Sequence, residues 1–190
     1  MAISIVQELH GGTAFIDVKA LLHHLGVKEG SIIADLGCGG GGHFVLTSAR
    51  TVGVTGLVYA LDVQKRVIEV VKERAKAAQL DNIQFVWSNL EQYGAANIPA
   101  GACDIVFLVN VLFQNKDYCT IVKEALRFVR PGGVLSIIDW RNGTAQAQFG
   151  PPQASRVSQA QLKEVILKCG GQVIDEFAAG PYHYAVTIKK

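Results

Sequence analysis

A glycine-rich turn contains the residues of this chain whose types and spacing are best suited to chemistry. Residues 31–42 have the sequence SIIADLGCGGGG, in which a β-branched run and Asp35 precede five glycines among the six positions 37–42. Only glycine lets a backbone turn this sharply and lie against a ligand with no Cβ in the way. Such turns follow buried parallel strands, at the sheet edge where α/β folds bind nucleotide-like molecules. The segment therefore predicts a strand, a bare backbone turn and a nucleotide-like ligand.

Two overlapping glycine patterns predict different ligands. The pattern G-x-G-x-x-G over residues 37–42 is the fingerprint of dinucleotide binding, with Asp62 at a suitable distance to bind the ribose. The pattern D-x-G-x-G-x-G over residues 35–41 is satisfied as well. An ionised carboxylate only accepts hydrogen bonds, so Asp62 is suited to two vicinal ribose hydroxyls in either case. The spacing alone leaves a nicotinamide dinucleotide and another nucleoside cofactor open.

Alternating strand and helix patterns place the turn within an α/β fold. Short apolar runs rich in β-branched residues predict strands, and apolar residues at three- and four-residue spacing predict helices. The joint Ala179-Gly180-Pro181 is too short for a crossover, so the last strand is expected to run antiparallel. We predict a seven-stranded, mostly parallel sheet with helices on both faces. The predicted strands are 32–36, 57–61, 83–87, 103–109, 134–139, 172–178 and 183–189, and the predicted helical stripes are 18–25, 43–50, 67–78, 121–129 and 162–169.

The bulk composition narrows the function classes. The chain has 190 residues, enough for a single domain over 1–190, and its net charge of only +2 disfavours nucleic acid as a partner. The amino terminus lacks the pattern of a signal peptide, and no apolar stretch is long enough to span a bilayer. The cysteines include no C-x-x-C pair, so we expect no metal site and small apolar cysteines in a reducing cytoplasm. They are Cys38, Cys103, Cys119 and Cys169.

The order of the motifs resembles that of the class I S-adenosylmethionine-dependent methyltransferases. Residues 35–41 match the first motif of that family, and Asp62 matches the acid that binds the cofactor ribose. The resemblance covers nearly the whole chain, leans toward the small-molecule branch that includes quinone methyltransferases, and implies a Rossmann-like sheet. Further matches follow in the family's order, at Ser88–Leu90 after strand three, at Cys103–Phe107 with Asn110 in and after strand four, and at Leu126–Gly133 before strand five.

The resemblance implies an enzyme that transfers a methyl group from S-adenosyl-L-methionine to a small or medium-sized acceptor and releases S-adenosyl-L-homocysteine. It places the cofactor adenine near Asn89 and the methionine part against the glycine turn. Residues 1–25 are expected to form an N-terminal cap helix and residues 141–157 a lid loop over the acceptor, and a homodimer is a further expectation. The implied cofactor-binding residues are Asp35, Gly37, Cys38, Gly39, Gly41, Asp62, Val63, Asn89, Leu90 and Asn110.

Several of these residues also have a structural interpretation. Asp35 either orients its own turn or meets the cofactor ammonium through water. Asp62 has a helix cap as its alternative role, although its place at a strand end beside the glycine turn favours binding. Asn89 and Asn110 could serve turn geometry alone. Two other functions remain open, namely hydride transfer by an NAD(P)-dependent Rossmann oxidoreductase and a non-catalytic protein that binds S-adenosylmethionine or a protein partner.

Three residues are candidates for a general base, because they are expected at the carboxyl edge of the sheet. Asp139 ends strand five, His43 begins the helix after the glycine turn, and His183 follows the last turn. Each could accept a proton from an oxygen or nitrogen nucleophile. His183 is also predicted to be an exposed turn histidine. The chain has no Asn-Pro-Pro-Tyr run, which disfavours methylation of amides or nucleobase amines, and Phe113-Gln114 stands where related sequences often have histidines.

Overall fold

The strands and helices lie close to their predicted positions. The computed structural model describes residues 13–143 and 149–190, and this part contains seven strands and five α-helices. The strands are β1 (Ile32–Leu36), β2 (Leu57–Asp62), β3 (Ile83–Trp87), β4 (Cys103–Val109), β5 (Val129–Trp140), β6 (Gln172–Ala178) and β7 (His183–Lys189). The α-helices are α1 (Val18–His24), α2 (His43–Val52), α3 (Lys65–Ala77), α4 (Tyr118–Phe128) and α5 (Gln159–Lys168).

One sheet contains all seven strands, in the order β3-β2-β1-β4-β5-β7-β6. Strands β1 to β5 pair in parallel, whereas β7 pairs antiparallel with both of its neighbours, as predicted for the last strand. The order of the strands reverses at β1, which lies between β2 and β4. In an open α/β sheet, the crevice at such a reversal is where ligands bind.

Helices cover both faces of the sheet, which explains why the central strands are apolar throughout. The side chains of β4 are almost all buried, as in a strand covered on both sides. On one face, buried residues of α4 and α5 such as Ile121 and Leu162 pack against the strands. On the other face, α1, α2 and α3 contribute residues such as Leu22 and Phe44. None of the helices in the described part of the chain is both long and apolar enough to cross a membrane.

The predicted start of β5 was wrong by five residues. The strand begins at Val129, which pairs with Cys103, and regular pairing resumes only where Val134 meets Ile105. The intervening Arg130–Gly133 segment forms an irregularity in which Gly132 adopts a positive φ of 78°. Prolines and glycines are tolerated in strands at such bulges, which a prediction from sequence treats as the end of the strand.

The prediction that all four cysteines are separate small apolar residues is wrong for two of them. Cys119 in the first turn of α4 and Cys169 at the end of α5 form a disulfide across 50 residues of sequence. This pair could not be found from spacing, because it depends on how the two helices lie together in space. Cys38 and Cys103 are buried and free, as predicted.

Candidate functional site

A cavity of about 580 Å³ opens at the strand reversal, beyond the carboxyl ends of β1, β2 and β4. Its wall is formed by the glycine turn, the end of β2 with the start of α3, the segment after β3 and the segment after β4. The topology thus brings four predicted loop segments to one place. Seven of the predicted cofactor-binding residues line it: Gly37, Gly39, Asp62, Val63, Asn89, Leu90 and Asn110.

The glycine turn presents bare backbone to this cavity. Gly37 and Gly39 have positive φ angles of 80° and 60°, which side-chain-bearing residues rarely adopt. A Cβ on Gly37 would come within 2.5 Å of the Val111 side chain, whereas a Cβ on Gly39 would meet no atom within 4 Å. The backbone of Gly39 therefore faces open space that a side chain would occupy.

Asp62 connects the glycine turn to the beginning of α3. Its Oδ2 accepts a hydrogen bond from the Gly39 amide at 3.1 Å, and its Oδ1 accepts one from the Gln64 amide at 2.9 Å. A carboxylate has about four acceptor positions, so these two bonds leave capacity for ribose hydroxyls. The predicted alternatives for Asp62 are therefore compatible, because the residue that stabilises the helix start also lines the cavity.

Asp35 lies beneath the turn and does not line the cavity. It is 2% exposed, and burial, reinforced by the nearby Asp62 charge, raises its pKa to about 7. Its Oδ2 has no hydrogen-bond partner among the described residues. Contact between Asp35 and a cofactor stays a prediction, while its position favours a role in the turn.

Replacing Asp35 by Asn is expected to change how stability depends on pH. The carboxyl has a pKa of about 7 when folded and 3.8 ordinarily, so the wild type loses stability as the pH rises through this window. Asparagine does not ionise, so the Asp35→Asn variant should gain on the order of 3 kcal/mol relative to wild type between pH 4 and pH 8. Chemical denaturation at both pH values measures this gain.

A second carboxylate provides the control for this experiment. For Asp104, burial acts to raise the pKa, but hydrogen bonds from the Ile32 amide and Arg130 outweigh it and lower the pKa. Asp104→Asn should therefore lose stability relative to wild type as the pH rises above about 4. Equal differences at the two pH values for Asp35→Asn would contradict the assignment of its raised pKa.

The two predicted asparagines occupy different positions in the cavity wall. Asn110 follows β4 with a positive φ of 57°, and its carbonyl oxygen accepts a hydrogen bond from the Gln114 side chain at 2.9 Å. A non-glycine residue held in this region stores strain, which is common at functional sites. The Asn89 Oδ1 accepts from the Glu91 amide at 2.9 Å, so this oxygen serves the turn geometry.

Cys38 and Gly41 are near the cavity but do not line it. The Cys38 amide donates to the Leu61 carbonyl at 2.9 Å, and burial raises the pKa of its thiol. The Gly41 carbonyl accepts from the Arg74 side chain at 3.1 Å. Both residues hold the turn against β2 and α3, and direct cofactor contact by either stays a prediction.

Asp139 is fully buried near the end of β5 and is not part of the cavity wall. Its Oδ1 accepts from the Trp140 amide at 2.8 Å, and its Oδ2 has no hydrogen-bond partner among the described residues. Burial raises the pKa of this carboxyl to about 7, although the amides of Trp140, Phe113 and Leu112 act in the opposite direction. Because the segment at 112–113 directly follows Val111 of the cavity wall, Asp139 is placed at its edge.

The two candidate histidines differ in their surroundings. His183 is fully buried, so its prediction as an exposed turn residue is wrong. It begins β7 opposite Trp140, with ring centroids 4.2 Å apart, and burial together with the Arg156 charge lowers its pKa to about 3. The imidazole is therefore neutral at physiological pH. His43 begins α2, half-buried, and is not part of the cavity wall.

Sequence reasoning missed several residues of the cavity wall. Gln114 and Asn115 were overlooked because the short helix Leu112–Gln114 after β4 has no distinctive pattern. Gln64 was overlooked beside the more conspicuous Asp62. Their order in the chain was a usable signal, since residues that directly follow parallel strands meet at the same sheet edge.

Comparisons with known proteins agree with this architecture. Residues 27–178 match a family model described as a methyltransferase domain. Demethylmenaquinone methyltransferase from Geobacillus sp. (strain WCH70) is 32% identical over 120 residues, covering 62% of this chain and 49% of that protein. The enzyme of the same name from Lactococcus lactis is 30% identical over 123 residues, covering 65% and 47% respectively. The chain thus spans about half the length of these relatives.

Solved structures share the fold. An S-adenosylmethionine-dependent methyltransferase from Aquifex aeolicus superposes with a TM-score of 0.85 at 24% identity, covering 97% of this chain and 96% of that one. The [4+2]-cyclase SpnF superposes with a TM-score of 0.75 at 16% identity, covering 91% and 80%. At these identities the superpositions establish the fold alone, whereas the family model covers most of the sequence. The chain therefore belongs to the methyltransferase domain family, and the predicted resemblance to class I S-adenosylmethionine-dependent methyltransferases is confirmed.

Proposed function

We propose that this chain binds S-adenosylmethionine in the cavity at the glycine turn and transfers its methyl group to a small or medium-sized acceptor. The observation that carries the proposal is the juxtaposition of Asp62 with the bare backbone of Gly39 in one 580 Å³ cavity. The bare backbone of Gly39 faces open space in which the cofactor could lie, and the Asp62 carboxylate beside it is suited to ribose hydroxyls. S-adenosylhomocysteine is the product released.

The residues present fit the cofactor in size and in chemistry. Asp62 would hold the ribose hydroxyls, Asn89 and Leu90 would border the adenine, and Gly37 and Gly39 would face the methionine part. When bound, S-adenosylmethionine supplies a methyl group on a sulfonium, which is already activated for in-line displacement. Much of the acceleration can then come from positioning, so the task of the protein is to align the acceptor and exclude water.

Asp139 is the strongest of the three candidates for a general base. A base works best when its pKa is near the operating pH, and burial brings Asp139 to about 7. The neutral His183, with a pKa of about 3, is a much weaker base. We propose that Asp139 takes the proton of an oxygen or nitrogen nucleophile, and that His183 borders the acceptor. His43 stays a candidate at the other side of the glycine turn.

An acceptor related to quinones is the substrate class that we propose, because the relatives with the quoted identities are demethylmenaquinone methyltransferases. Described residues of the predicted cap and lid contact each other, which supports a position for both segments on the acceptor side of the site. Phe15 before α1 and Phe149 lie 5.2 Å apart between ring centroids, and each is 4.8 Å from Tyr182. Residues 1–12 and 144–148 of the predicted cap and lid lie outside the described residues.

Calorimetric titration and product identification test this function. Titration with S-adenosylhomocysteine and with NADH should show binding of the first alone, and binding of NADH alone would support the oxidoreductase alternative. Incubation with methyl-labelled S-adenosylmethionine and a quinone-containing metabolite extract should then yield a labelled product, identified by mass spectrometry. Binding without any labelled product would support the non-catalytic alternative.

A substitution in the glycine turn provides a more specific prediction. Gly39→Ala is expected to lower the affinity for S-adenosylhomocysteine by about tenfold or more, since its methyl group would enter the cavity. Gly94 is a matched control, because it also has a positive φ, of 80°, and open space around its Cβ position but lies outside the cavity wall. Both variants should lose about 1–2 kcal/mol of stability through backbone strain. Equal affinities of the two variants would contradict a cofactor at Gly39.

A cytoplasmic location and a homodimer are proposals as well, and the net charge of +2 continues to disfavour nucleic acid as a partner. A reducing cytoplasm would keep most thiols reduced, so the oxidation state of Cys119 and Cys169 in cells indicates the compartment. If the protein is cytoplasmic, the disulfide of the structure should form only under oxidising conditions. Alkylation in acid-quenched cells should then find both cysteines modified, whereas an intact disulfide in those cells would argue against this location. Sedimentation analysis tests the homodimer.

A further inference from the structure

Arg156 is a buried arginine in the connection between β5 and α5. Its side chain donates hydrogen bonds to the backbone at two separate places in that connection. The residue is 5% exposed. Its Nε donates to the Pro151 carbonyl at 3.0 Å, its Nη1 to the Arg141 carbonyl at 2.6 Å, and its Nη2 to the Phe149 carbonyl. A guanidinium presents its donors in a rigid planar fork, so one side chain holds three carbonyls from two stretches of chain in a single geometry.

The backbone held by Arg156 lies directly on Trp140, the last residue of β5. A Cβ on Gly150 would come within 2.5 Å of the Trp140 ring, so the glycine packs flat against the indole. The Arg156 Cζ itself is 5.6 Å from the centroid of that ring. Trp140 is 2% exposed as a result.

Polar groups without partners lie beneath this cover. Within residues 13–143 and 149–190, the Trp140 Nε1 and both ring nitrogens of His183 are buried without a hydrogen-bond partner. Asp139 pairs with Tyr184, so its side chain leaves the opposite face of the sheet. Leaving the Trp140 and His183 nitrogens unpaired is unfavourable, so water would bind them if it had access. The position of the cover therefore decides whether this edge of the site is dry.

The charge of Arg156 also acts on His183 and Asp139. After the larger effect of burial, its guanidinium contributes to the low pKa of His183, and it partly offsets the raised pKa of Asp139. Arg156 thus holds the cover through its hydrogen bonds and acts through its charge on Asp139, the residue that we propose as the base.

We propose that Arg156 is a positioning residue for the methyl-transfer site, whose guanidinium holds Arg141 and residues 149–151 on Trp140 and keeps Trp140 and His183 buried. The importance of this for the reaction rests on the proposed function. The contacts themselves belong to the protein alone, so they can be tested without cofactor or acceptor.

Trp140 fluorescence measures the cover directly. The chain has two tryptophans, and Trp87, which is 60% exposed and outside the cavity wall, can be replaced by Phe to leave Trp140 as the only indole. In this background, Arg156→Ala is expected to shift the emission to longer wavelength. It should also raise amide hydrogen exchange in residues 149–157 by about tenfold or more, with exchange in β1 and β4 unchanged. Millimolar guanidinium chloride, but not sodium chloride at equal concentration, should reverse part of both changes.

Two further variants complete the test. Arg141→Ala removes an exposed side chain of the same segment and should leave emission and exchange as in the parent. Arg156→Lys keeps the charge but not the planar fork, so it should show part of the emission shift even if Arg156→Ala fails to fold. Unchanged emission and exchange in the Arg156 variants would overturn the proposal, as would exchange that rises equally in β1 and β4. Failure of the wild-type protein to bind S-adenosylhomocysteine would instead contradict the proposed function, and it would leave these emission and exchange results unaffected.

Discussion

Asp62→Ala is expected to weaken the binding of S-adenosylhomocysteine by about 10- to 100-fold, equivalent to about 1.5–3 kcal/mol. The substitution removes a charge-assisted acceptor for the ribose hydroxyls. It also removes the acceptors of the hydrogen bonds from the Gly39 and Gln64 amides, so no side chain then links the glycine turn to the start of α3. Asp62→Asn keeps one acceptor oxygen, so its affinity for S-adenosylhomocysteine should lie between those of Asp62→Ala and the wild type. Calorimetric titration at constant ionic strength measures all three affinities.

The control for Asp62 is an aspartate that caps a helix away from the cavity. Asp17 accepts a hydrogen bond from the Ala20 amide at 3.0 Å at the start of α1. Asp17→Ala should lose about 1 kcal/mol of stability without a change in cofactor affinity. If Asp62→Ala lost stability but kept its cofactor affinity, as expected for Asp17→Ala, Asp62 would act only as a helix cap and not as a cofactor-binding residue.

Asp139→Asn is expected to lower the rate of methyl transfer by about 10²- to 10⁴-fold while leaving S-adenosylhomocysteine affinity intact. The wild-type rate should rise with pH through about 7, as the carboxyl loses its proton and becomes able to act as a base. The variant should show no such rise. Single-turnover transfer of labelled methyl to the acceptor found in the extract measures both the rate and its pH profile.

The stability of the same variant gives an independent check of the buried carboxyl. Ionisation of Asp139 in its buried position opposes folding, so Asp139→Asn should be more stable than wild type at pH 8 and close to it at pH 4. Asp104→Asn, near the amino-terminal end of β4 and therefore at the opposite edge of the sheet, should leave the transfer rate unchanged. An Asp139→Asn variant that retains the wild-type rate would remove Asp139 from the reaction and leave positioning as the main source of catalysis.

The glycine turn and Asp62 could be predicted from sequence because local rules determine them. A strand that ends in consecutive glycines must turn sharply, and an acid that ends the neighbouring parallel strand must lie at the same edge. The cavity wall at Val63, Asn89 and Asn110 follows from that logic. The antiparallel direction of β7 could also be predicted, because the joint that precedes it is too short for a crossover.

The remaining features depend on packing between distant segments, which no local pattern encodes. In the sequence His183 directly follows a turn, but its side chain is buried, because β7 lies between β5 and β6 and places it against Trp140. Cys119 and Cys169 meet only because α4 and α5 lie side by side. Arg156 stands in a loop with no recognisable motif, and its contacts with Arg141 and Pro151 arise only when the chain folds back.

A crystal structure with S-adenosylhomocysteine would show directly where the cofactor binds. We expect one molecule in the cavity at the strand reversal, with its ribose hydroxyls on the Asp62 carboxylate and its homocysteine part against Gly37 and Gly39. A molecule bound elsewhere, or a ribose with no contact to Asp62, would show that the proposed cofactor site is wrong.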